Sequence, residues 1–416
     1  MEKHLYETLA GADSGKPVER RNFFLHAISL TLTKVADGLI DPKIVLSWLV
    51  TALGAPAAFV GFLVPIREAG ALLPQLLIAP FVRAAGIRKT FWALGSMGQG
   101  ASVVGIALVA FTLEGAAAGW AILGLLTVFS LCRAVCSTSY KDVLGKTVRK
   151  STRGAAMGIA SSTAATAVLG FGALLALGVV PRSVAAIATV ILVAGAVWFA
   201  AGALFFRVEE EESDVDGDAG IFSMSALADP LRNDPQLRRF IVSRGLLVPT
   251  ALTPPFLIAM VAGEGGDAGA GALGPFILAS ALASILSGYV WGRLSDRSSS
   301  WTFVVAGGLA SAVLGAAAFV ATGSPGLWTA VAMLFVAQIG YEGVRVARKV
   351  HLVDMADEDR RAVYTALSNT IIGAVLVAGG ALGLIAQFAG IWAALATSSA
   401  LCAAGVAMAF GLEEVQ

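Results

Sequence analysis

The first long apolar stretch of this sequence carries charged side chains that could bind a polar solute or transfer a proton. Drawn as a helix at 100° per residue, the stretch places its polar residues within an arc of about 100°. These residues are His26, Thr33, Lys34, Asp37 and Asp41. Carboxylates and an amine on one face can form ion pairs, and a carboxylate can also take up and release a proton. Pro42 lacks a backbone donor, so we expect the helix to bend beside Asp41.

Two carboxylates fall near the middle of membrane-length segments. Counting about 1.5 Å per residue from Asn22 puts Asp37 roughly 22 Å along its helix, and Glu68 lies roughly 16 Å from the start of the next helix. Lys34 and Asp37 can pair at i, i+3. Arg67 and Glu68 point about 100° apart, so we expect that they do not satisfy each other and that one of them binds another helix.

The fourth and tenth apolar segments also carry polar residues on one face. Those residues are Ser130, Arg133 and Ser137 in the fourth segment and Gln338, Glu342, Arg345 and Lys349 in the tenth. A guanidinium suits a carboxylate or a phosphate, so Arg133 and Arg345 are candidate solute ligands. The same arginines could instead reach the lipid headgroups from the ends of their helices, and Lys34, Asp37 and Glu68 could form a purely structural set of ion pairs.

Composition places the chain in a lipid bilayer. Hydrophobic residues make up 57% of the sequence, charged residues make up 14%, and the mean hydropathy is +0.80. An ordinary globular domain could not keep that much apolar surface out of water. The net charge of +1 and the dispersed basic residues argue against a nucleic-acid partner. Three cysteines form no disulfide framework, and His4, His26 and His351 assemble no triad or metal cage, so we expect no catalytic site, cofactor or metal.

Twelve stretches approach the length of about 20 apolar residues that a hydrocarbon core requires. The predicted spans are 22–48, 57–82, 91–112, 117–139, 154–179, 183–206, 238–262, 270–291, 301–321, 326–347, 363–387 and 390–411. We therefore predict an all-α polytopic membrane protein with twelve transmembrane helices in two pseudo-symmetric six-helix bundles. The first bundle covers residues 22–206 and the second covers residues 238–416, and a tail at 1–21 precedes them.

Lysine and arginine residues predict the orientation. They concentrate in the loops on one side of the twelve spans, from Arg20 to Arg361, while the opposite loops hold little beyond Arg182. By the positive-inside rule the basic side is cytoplasmic, so both termini are expected there. The polar start of the chain is then a cytoplasmic tail and not a cleaved signal.

A polar segment at 207–237 separates the two predicted bundles. Its first part, RVEEEESDVDGDAG at 207–220, is too acidic to fold alone, so we expect a solvated linker. Its second part has apolar residues spaced for one side of a short helix on the membrane surface, namely Phe222, Met224, Leu227 and Leu231. A disordered tether is the alternative.

A segment of the first half returns in weaker form in the second half. Arg133 and Asp142 match Arg345 and Asp354 at one spacing, and residues 153–162 then match residues 361–370 after a short deletion. Self-similarity at half the chain length, in a strongly apolar sequence, is typical of secondary transporters.

This layout, together with one loop motif, resembles the major facilitator superfamily of secondary transporters. GRLSDR at Gly292–Arg297 resembles that family's loop signature between the second and third helices of each half. The first-half counterpart at Pro80–Lys89 carries Ala84 where the acid would stand, so only the second-half latch is complete. The resemblance implies that the first, fourth, seventh and tenth helices line a central cavity. It also implies a cytoplasmic gate formed by Gly292, Arg293, Asp296 and Arg297.

These observations predict a secondary transporter that moves a small polar or amphiphilic solute by alternating access, coupled to a proton in preference to sodium. The expected solute ligands are Lys34, Arg133, Gln338, Glu342 and Arg345. The expected proton-coupling residues are Asp37, Glu68 and Asp41. We place Asp37 first because the amine of Lys34 lies one turn away on the same face, and movement of that cation would change the affinity of the carboxylate for a proton.

Two other classes of function stay open at this point. An exporter or flippase of lipid-like or drug-like molecules is the alternative transporter, although the fifth span lacks the glycine-proline signature of drug–proton antiporters. A membrane-embedded enzyme or a non-transporting scaffold is the alternative of another class. We expect a monomer in the bacterial inner membrane, with the solute, the proton and the lipid bilayer as its partners.

Cysteine labelling in a cysteine-free background tests the predicted orientation. Ser151→Cys and Ser213→Cys should react with an impermeant thiol reagent only from the cytoplasm, because both lie on the basic side. Gly266→Cys should react only from outside. Labelling of Gly266→Cys from the cytoplasmic side would contradict the twelve-span arrangement.

Overall fold

The computed structural model describes residues 2–10, 16–181, 183–212, 230–262, 267–323, 325–355 and 358–414, and all regular secondary structure in these ranges is α-helical. The helices of the first half are α1 (Glu2–Ala10), α2 (Pro17–Leu39), α3 (Val45–Ala52), α4 (Ala57–Leu72), α5 (Gln75–Arg83), α6 (Lys89–Thr112), α7 (Gly115–Thr147), α8 (Arg153–Ala176) and α9 (Val184–Phe205). After a helical turn at 230–233, those of the second half are α10 (Pro235–Leu246), α11 (Pro249–Leu252), α12 (Pro254–Ala262), α13 (Asp267–Ser295), α14 (Ser299–Val320), α15 (Leu327–Asp354), α16 (Glu358–Gly379), α17 (Ala381–Ala389) and α18 (Ile391–Ala409).

In the described part of the chain, ten segments are long and apolar enough to cross a membrane, and they correspond to predicted spans three to twelve. The other two predicted spans, 22–48 and 57–82, are α2 with α3 and α4 with α5. Each of these spans is a pair of shorter helices, and charged residues lower its hydropathy. The all-α polytopic fold is therefore confirmed, whereas the count of twelve depends on accepting the two broken spans.

The first span breaks beside Asp41, as the sequence predicts. The carbonyl oxygen of Asp41 accepts hydrogen bonds from the backbone N–H groups of Ile44 and Val45 at 3.3 and 2.8 Å. One carboxylate oxygen of Asp41 accepts from the backbone N–H groups of Lys43 and Ile44 at 2.8 and 3.1 Å. These bonds satisfy the backbone N–H groups that follow Pro42 and begin α3, which would otherwise lack an acceptor in a preceding helical turn. Asp41 therefore holds the turn between the two half-helices.

The second span breaks at Pro74, which the sequence analysis did not predict. Helix α4 ends at Leu72 and α5 begins at Gln75, because Pro74 cannot donate a hydrogen bond to the preceding turn. The side-chain amide of Gln75 donates to the backbone carbonyl of Ala71 at 2.6 Å. The polar side chain of Gln75 thus supports the break.

Helices in the two halves pack in the same way. In the first half α6 packs against α7 and α9, and α4 packs against α7; in the second half α14 packs against α15 and α18, and α13 packs against α15. Between the halves, α8 contacts α13, and α4 contacts α16 and α17. Equivalent helices thus occupy equivalent places, as expected for inverted or parallel repeats of one bundle. The division into bundles at 22–206 and 238–416 stays a prediction.

A carboxylate that follows the last helix of each half binds the start of that half's third span. After α9, the Glu210 carboxylate accepts from the backbone N–H groups of Arg88 and Lys89, at 3.0 and 2.7 Å to the same oxygen. After α18, the Glu414 carboxylate accepts from the hydroxyls of Ser298 and Ser300 at 2.5 and 2.7 Å. A negative charge at a helix N-terminus is favourable because unpaired N–H groups and the helix dipole face it. This repeat is not visible as a sequence motif.

The start of the linker between the halves is not freely solvated, contrary to the sequence-based expectation. Besides its backbone contacts, Glu210 pairs with Lys146 at 3.2 Å, and its side chain is fully buried. The side chain of Asn22 bonds to both backbone groups of Glu209 at 2.9 Å, and Arg21 pairs with the Glu209 carboxylate at 2.5 Å. Basic residues of the neighbouring helices bind the acidic segment, which composition alone could not show. The predicted surface helix at 222–231 lies mostly outside the described residues.

The two halves touch at one end of the molecule and separate at the other. A Cβ atom on Gly61 would lie 2.3 Å from the Cα atom of Gly383, and one on Gly274 would lie 2.5 Å from the backbone of Ala176. Only glycine permits so close an approach of α4 to α17 and of α13 to α8. At the opposite end of α13, a Cβ atom on Gly288 would meet no atom within 4 Å. The cavity between the halves lies towards this other end, where Lys141 near the end of α7 and Arg348 and Lys349 near the end of α15 line it.

Candidate functional site: a charged cluster beside two cavities

Three spans of the first half meet in ion pairs around Asp37. Nη2 of Arg67, on α4, donates to both carboxylate oxygens of Asp37, on α2, at 2.7 Å each. Nη1 of Arg133, on α7, donates to Oδ1 of the same carboxylate at 3.1 Å. The Arg67 side chain is only 12% exposed, so these bonds lie where water screens them weakly. Asp37 therefore joins α2, α4 and α7.

Arg67 and Glu68 also pair with each other, contrary to the expectation that they could not. Nη1 of Arg67 donates to Oε1 of Glu68 at 2.6 Å. Their Cα–Cβ bonds diverge, but both side chains are long enough to turn back towards each other. The other half of the expectation is confirmed, because Arg67 also binds Asp37 on another helix. One guanidinium thus holds two carboxylates.

Lys34 does not form the ion pair with Asp37 that its spacing allows. Its Nζ atom donates instead to the hydroxyl of Ser161, on α8, at 2.5 Å. Two arginines already supply the hydrogen bonds to the Asp37 carboxylate, and a guanidinium forms the better-directed pair with a carboxylate. Lys34 therefore ties α2 to α8.

His26, at the other end of the same polar face, is fully buried and bonds to Thr147 Oγ1 at 2.8 Å.

In the second half, the predicted residues of the tenth span form their own cluster. The Glu342 carboxylate pairs with Arg345 Nη2 at 2.5 Å, one turn along α15. Its other oxygen accepts from Gln338 Nε2 at 3.2 Å and from the hydroxyl of Ser284, on α13, at 3.0 Å. Glu342 is buried and Arg345 is exposed. The three predicted residues meet on one face of α15: Glu342 holds Arg345, and Gln338 with Ser284 of α13 holds Glu342.

The predicted site residues divide between two cavities. A cavity of about 310 Å³ inside the first half is lined by Lys34, Asp37 and Arg133. A larger one of about 520 Å³, between the halves, is lined by Glu68 and Arg345. Lys141 lines both cavities, which therefore adjoin. Neither of these two cavities is lined by the whole predicted set.

Sequence reasoning did not select the buried arginine of the second half as a site residue. Arg244, on α10, lines the larger cavity and donates to Ser368 Oγ at 2.6 Å and to Asn369 Oδ1 at 3.1 Å on α16. The internal repeat held a usable signal, because it aligns Asn369 with Ser161. In each half, then, a cation on that half's first span binds an equivalent polar side chain on its fifth span: Lys34 binds Ser161, and Arg244 binds Asn369.

The predicted gate residues lie at the open end of α13. Asp296 and Arg297 are exposed, and the Arg293 guanidinium lies 5.4 Å from the ring centroid of Tyr289. In the first half, where Ala84 replaces the acid, Arg88 pairs with Asp142 at the end of α7 at 3.0 Å. The linker carboxylate of Glu210 binds the same loop. The first-half loop is therefore held by residues outside the loop motif.

The family model of the Major Facilitator Superfamily matches residues 27–380. The chain belongs to this superfamily. It is therefore a multi-pass membrane protein and a secondary transporter, which agrees with the cavity between two packed halves. Most of the first apolar span, the charged cluster and the gate loop fall within the matched region.

Solved structures share the fold at low sequence identity. The nucleoside transporter NupG superposes with a TM-score of 0.66 at 12% identity, covering 95% of this chain and 98% of that one. A bacterial homolog of the human lysosomal transporter Spinster, in an inward-facing and occupied conformation, superposes with a TM-score of 0.62 at 14% identity, covering 95% and 97%. No curated protein matches the sequence significantly. These similarities establish the fold and leave the solute of this chain undefined.

A thermal-stability cycle tests the charged cluster. Arg67→Gln should lower the unfolding temperature of the purified protein, because loss of one partner from a buried ion pair costs about 3–5 kcal/mol. Adding Glu68→Gln should recover part of that loss, because Arg67→Gln leaves the Glu68 carboxylate without its arginine, whereas Asp37 keeps Arg133. Arg238→Gln, an exposed arginine on α10, should change stability by less than about 0.5 kcal/mol. A double variant no more stable than Arg67→Gln alone would contradict the cluster.

Proposed function

We propose that this transporter moves a small polar or amphiphilic solute by alternating access of the bundles at 22–206 and 238–416, coupled to a proton. The observation that carries the proposal is the chain of contacts from Asp37 through Arg67 to Glu68, which reaches the wall of the cavity between the halves. Charged groups this deep in a membrane protein are costly unless they serve a pathway for solute or ions.

The cavity opens at the end that carries the basic loops. Under the positive-inside rule that end would be cytoplasmic, which supports our proposal of an inward-facing arrangement with both termini in the cytoplasm. The closed end, where Gly61 meets Gly383, is then periplasmic. In a bacterial inner membrane, a cavity on the side of the basic loops would be reached from the cytoplasm.

Proton coupling follows from competition between a proton and an arginine for one carboxylate. Glu68 lines the open cavity and is bound by Arg67, so a proton from the cytoplasm reaches it first. Protonation of Asp37 removes the charge that holds Arg67 and loosens α4 from α2. Protonation of Glu68 frees one terminal nitrogen of Arg67 within α4 and so changes how Arg67 competes for Asp37. Asp37 keeps a central role because it has two arginine partners, and not because of Lys34. Asp41 serves the turn before α3 and lies outside this path.

The solute ligands are best divided by cavity. Arg345 faces the cavity between the halves, with Glu342 and Gln338 fixing its position. Lys34 and Arg133 line the adjoining cavity in the first half. A solute bound between the halves would contact Arg345 first and would reach Arg133 when the halves close. We therefore keep all five predicted ligands, with Glu342 and Gln338 acting through Arg345.

Transport assays on Asp37→Asn in proteoliposomes test proton coupling. Counterflow of solute needs only the conformational cycle and should persist, whereas uphill transport driven by a pH gradient should be lost, because the variant side chain binds no proton. Glu114→Gln, at the exposed start of α7, is the control and should behave as wild type. Gradient-driven transport by Asp37→Asn at the wild-type rate would make Asp37 a structural partner of Arg67 only.

The gate proposal predicts a shift in conformational balance for Asp296→Asn. In an outward-facing state the Asp296 carboxylate would pair with an arginine or a helix N-terminus of the first half, and it is exposed in the present open state. Its loss should slow transport and raise the reactivity of a cysteine at Leu72, which lines the cavity between the halves, towards a cytoplasmic thiol reagent. Glu413→Gln, exposed near the C-terminus, is the matched control. Unchanged reactivity would exclude Asp296 as a latch.

A further inference from the structure

Arg244 is a buried cation whose hydrogen-bond partners are neutral. Its side chain lies on α10, and the residue is 7% exposed. Its terminal nitrogens donate to Ser368 and Asn369, and its Nε atom is buried without a hydrogen-bond partner. Among the described residues, no ion pair includes Arg244. Burial of a charge in this way is unfavourable unless an opposite charge joins it for part of the functional cycle.

The charges around Arg244 make the cavity strongly cationic. The cavity between the halves is lined by five basic side chains and one carboxylate, namely Lys141, Arg244, Arg345, Arg348, Lys349 and Glu68. The carboxylate already binds Arg67. Arg345 is paired with Glu342, and Arg348 lines the same cavity as Arg244. Weakly screened positive charges in a confined cavity attract an anion and favour its binding.

The internal repeat shows which partner the second half lacks. Lys34 with Ser161 in the first half corresponds to Arg244 with Asn369 in the second. Three residues after Lys34 the chain has Asp37, whereas three residues after Arg244 it has Leu247. The first half thus supplies a carboxylate from its own chain, and the second half has an apolar residue at that place. An anion from outside the protein can occupy the equivalent position.

We propose that Arg244, with Ser368 and Asn369, forms an anion subsite, and that the transported solute carries a carboxylate or a phosphate group that binds there. The proposal rests on the proposed function only in treating the cavity between the halves as the solute site. The anion accepts hydrogen bonds from Arg244, and the amide of Asn369, which also lines the cavity, orients the guanidinium or donates to the same anion. Ser368 is fully buried and holds the guanidinium from behind. Arg345 and Arg348 add charge from the opposite wall.

Binding measurements with defined probes test the subsite in purified wild-type protein. The probes are inorganic phosphate, glycerol 3-phosphate, succinate and, as a neutral control, glycerol, each titrated by isothermal calorimetry and by the shift of the unfolding temperature. A long-chain lysophosphatidate, compared with glycerol 3-phosphate, distinguishes a lipid headgroup from a free phosphate ester. At least one anion should bind saturably and glycerol should not. Absence of saturable binding by every anion would overturn the proposal.

Three variants separate an anion subsite from a merely structural arginine. Arg244→Gln should weaken binding of the anion by about tenfold or more, the effect expected for loss of a charge-assisted hydrogen bond, and Arg238→Gln should stay within about twofold. Asn369→Asp places a carboxylate on Arg244, so it should raise the unfolding temperature and also abolish anion binding. This variant keeps the test decisive if Arg244→Gln fails to fold. Anion binding that survives in Asn369→Asp would overturn the proposal.

Failure of this inference and failure of proton coupling give different results. If anions bind through Arg244 but Asp37→Asn still transports against a gradient, the subsite is supported and the coupling assignment is wrong. If counterflow occurs with a neutral solute while no anion probe binds, the transporter cycle is supported and the subsite is wrong.

Discussion

The guanidinium of Arg67 holds the core of the first half together. One of its terminal nitrogens donates to both carboxylate oxygens of Asp37, and the other donates to the Glu68 carboxylate. Arg133 is a second cation that binds Asp37. Two acids and two bases thereby reach neutrality inside an apolar bundle, where any unpaired charge is expensive. The same bonds cross three helices, so any change in protonation alters how those helices are held.

The second half shares the helix packing but not this balance of charge. Arg244 occupies the place of Lys34 and binds the equivalent of Ser161, yet Leu247 stands where the first half has Asp37. The cavity wall of the second half is therefore positive, while the cluster of the first half is internally neutral. A transporter built from two related bundles can divide its tasks in this way, with a proton acting on one bundle and an anionic solute on the other.

The sequence predicts the helical class, the spans and the polar face of α2 well, because apolar length and helical periodicity are local properties. It also predicts the bend at Pro42. It does not predict that Pro74 ends α4, that Arg67 turns back to Glu68, or that Lys34 bonds to Ser161, since each depends on which helix lies opposite. The contacts of Glu210 with the start of α6 escape prediction for the same reason. Arg244 was visible in the sequence, but its lack of a carboxylate partner became clear only from the packing of α10 against α16.

The central claim is that protonation of the Asp37–Arg67–Glu68 cluster changes the opening between the halves. A Cβ atom on Gly158, in α8, or on Gly288, in α13, would meet no atom within 4 Å, and the two residues belong to different halves, so spin labels there report the distance between the halves. Pulsed electron–electron distance measurements in nanodiscs should show two populations whose ratio shifts as the pH falls, and Glu68→Gln with Asp37→Asn should remove the shift. A distance distribution that responds to pH equally in this double variant would contradict the account.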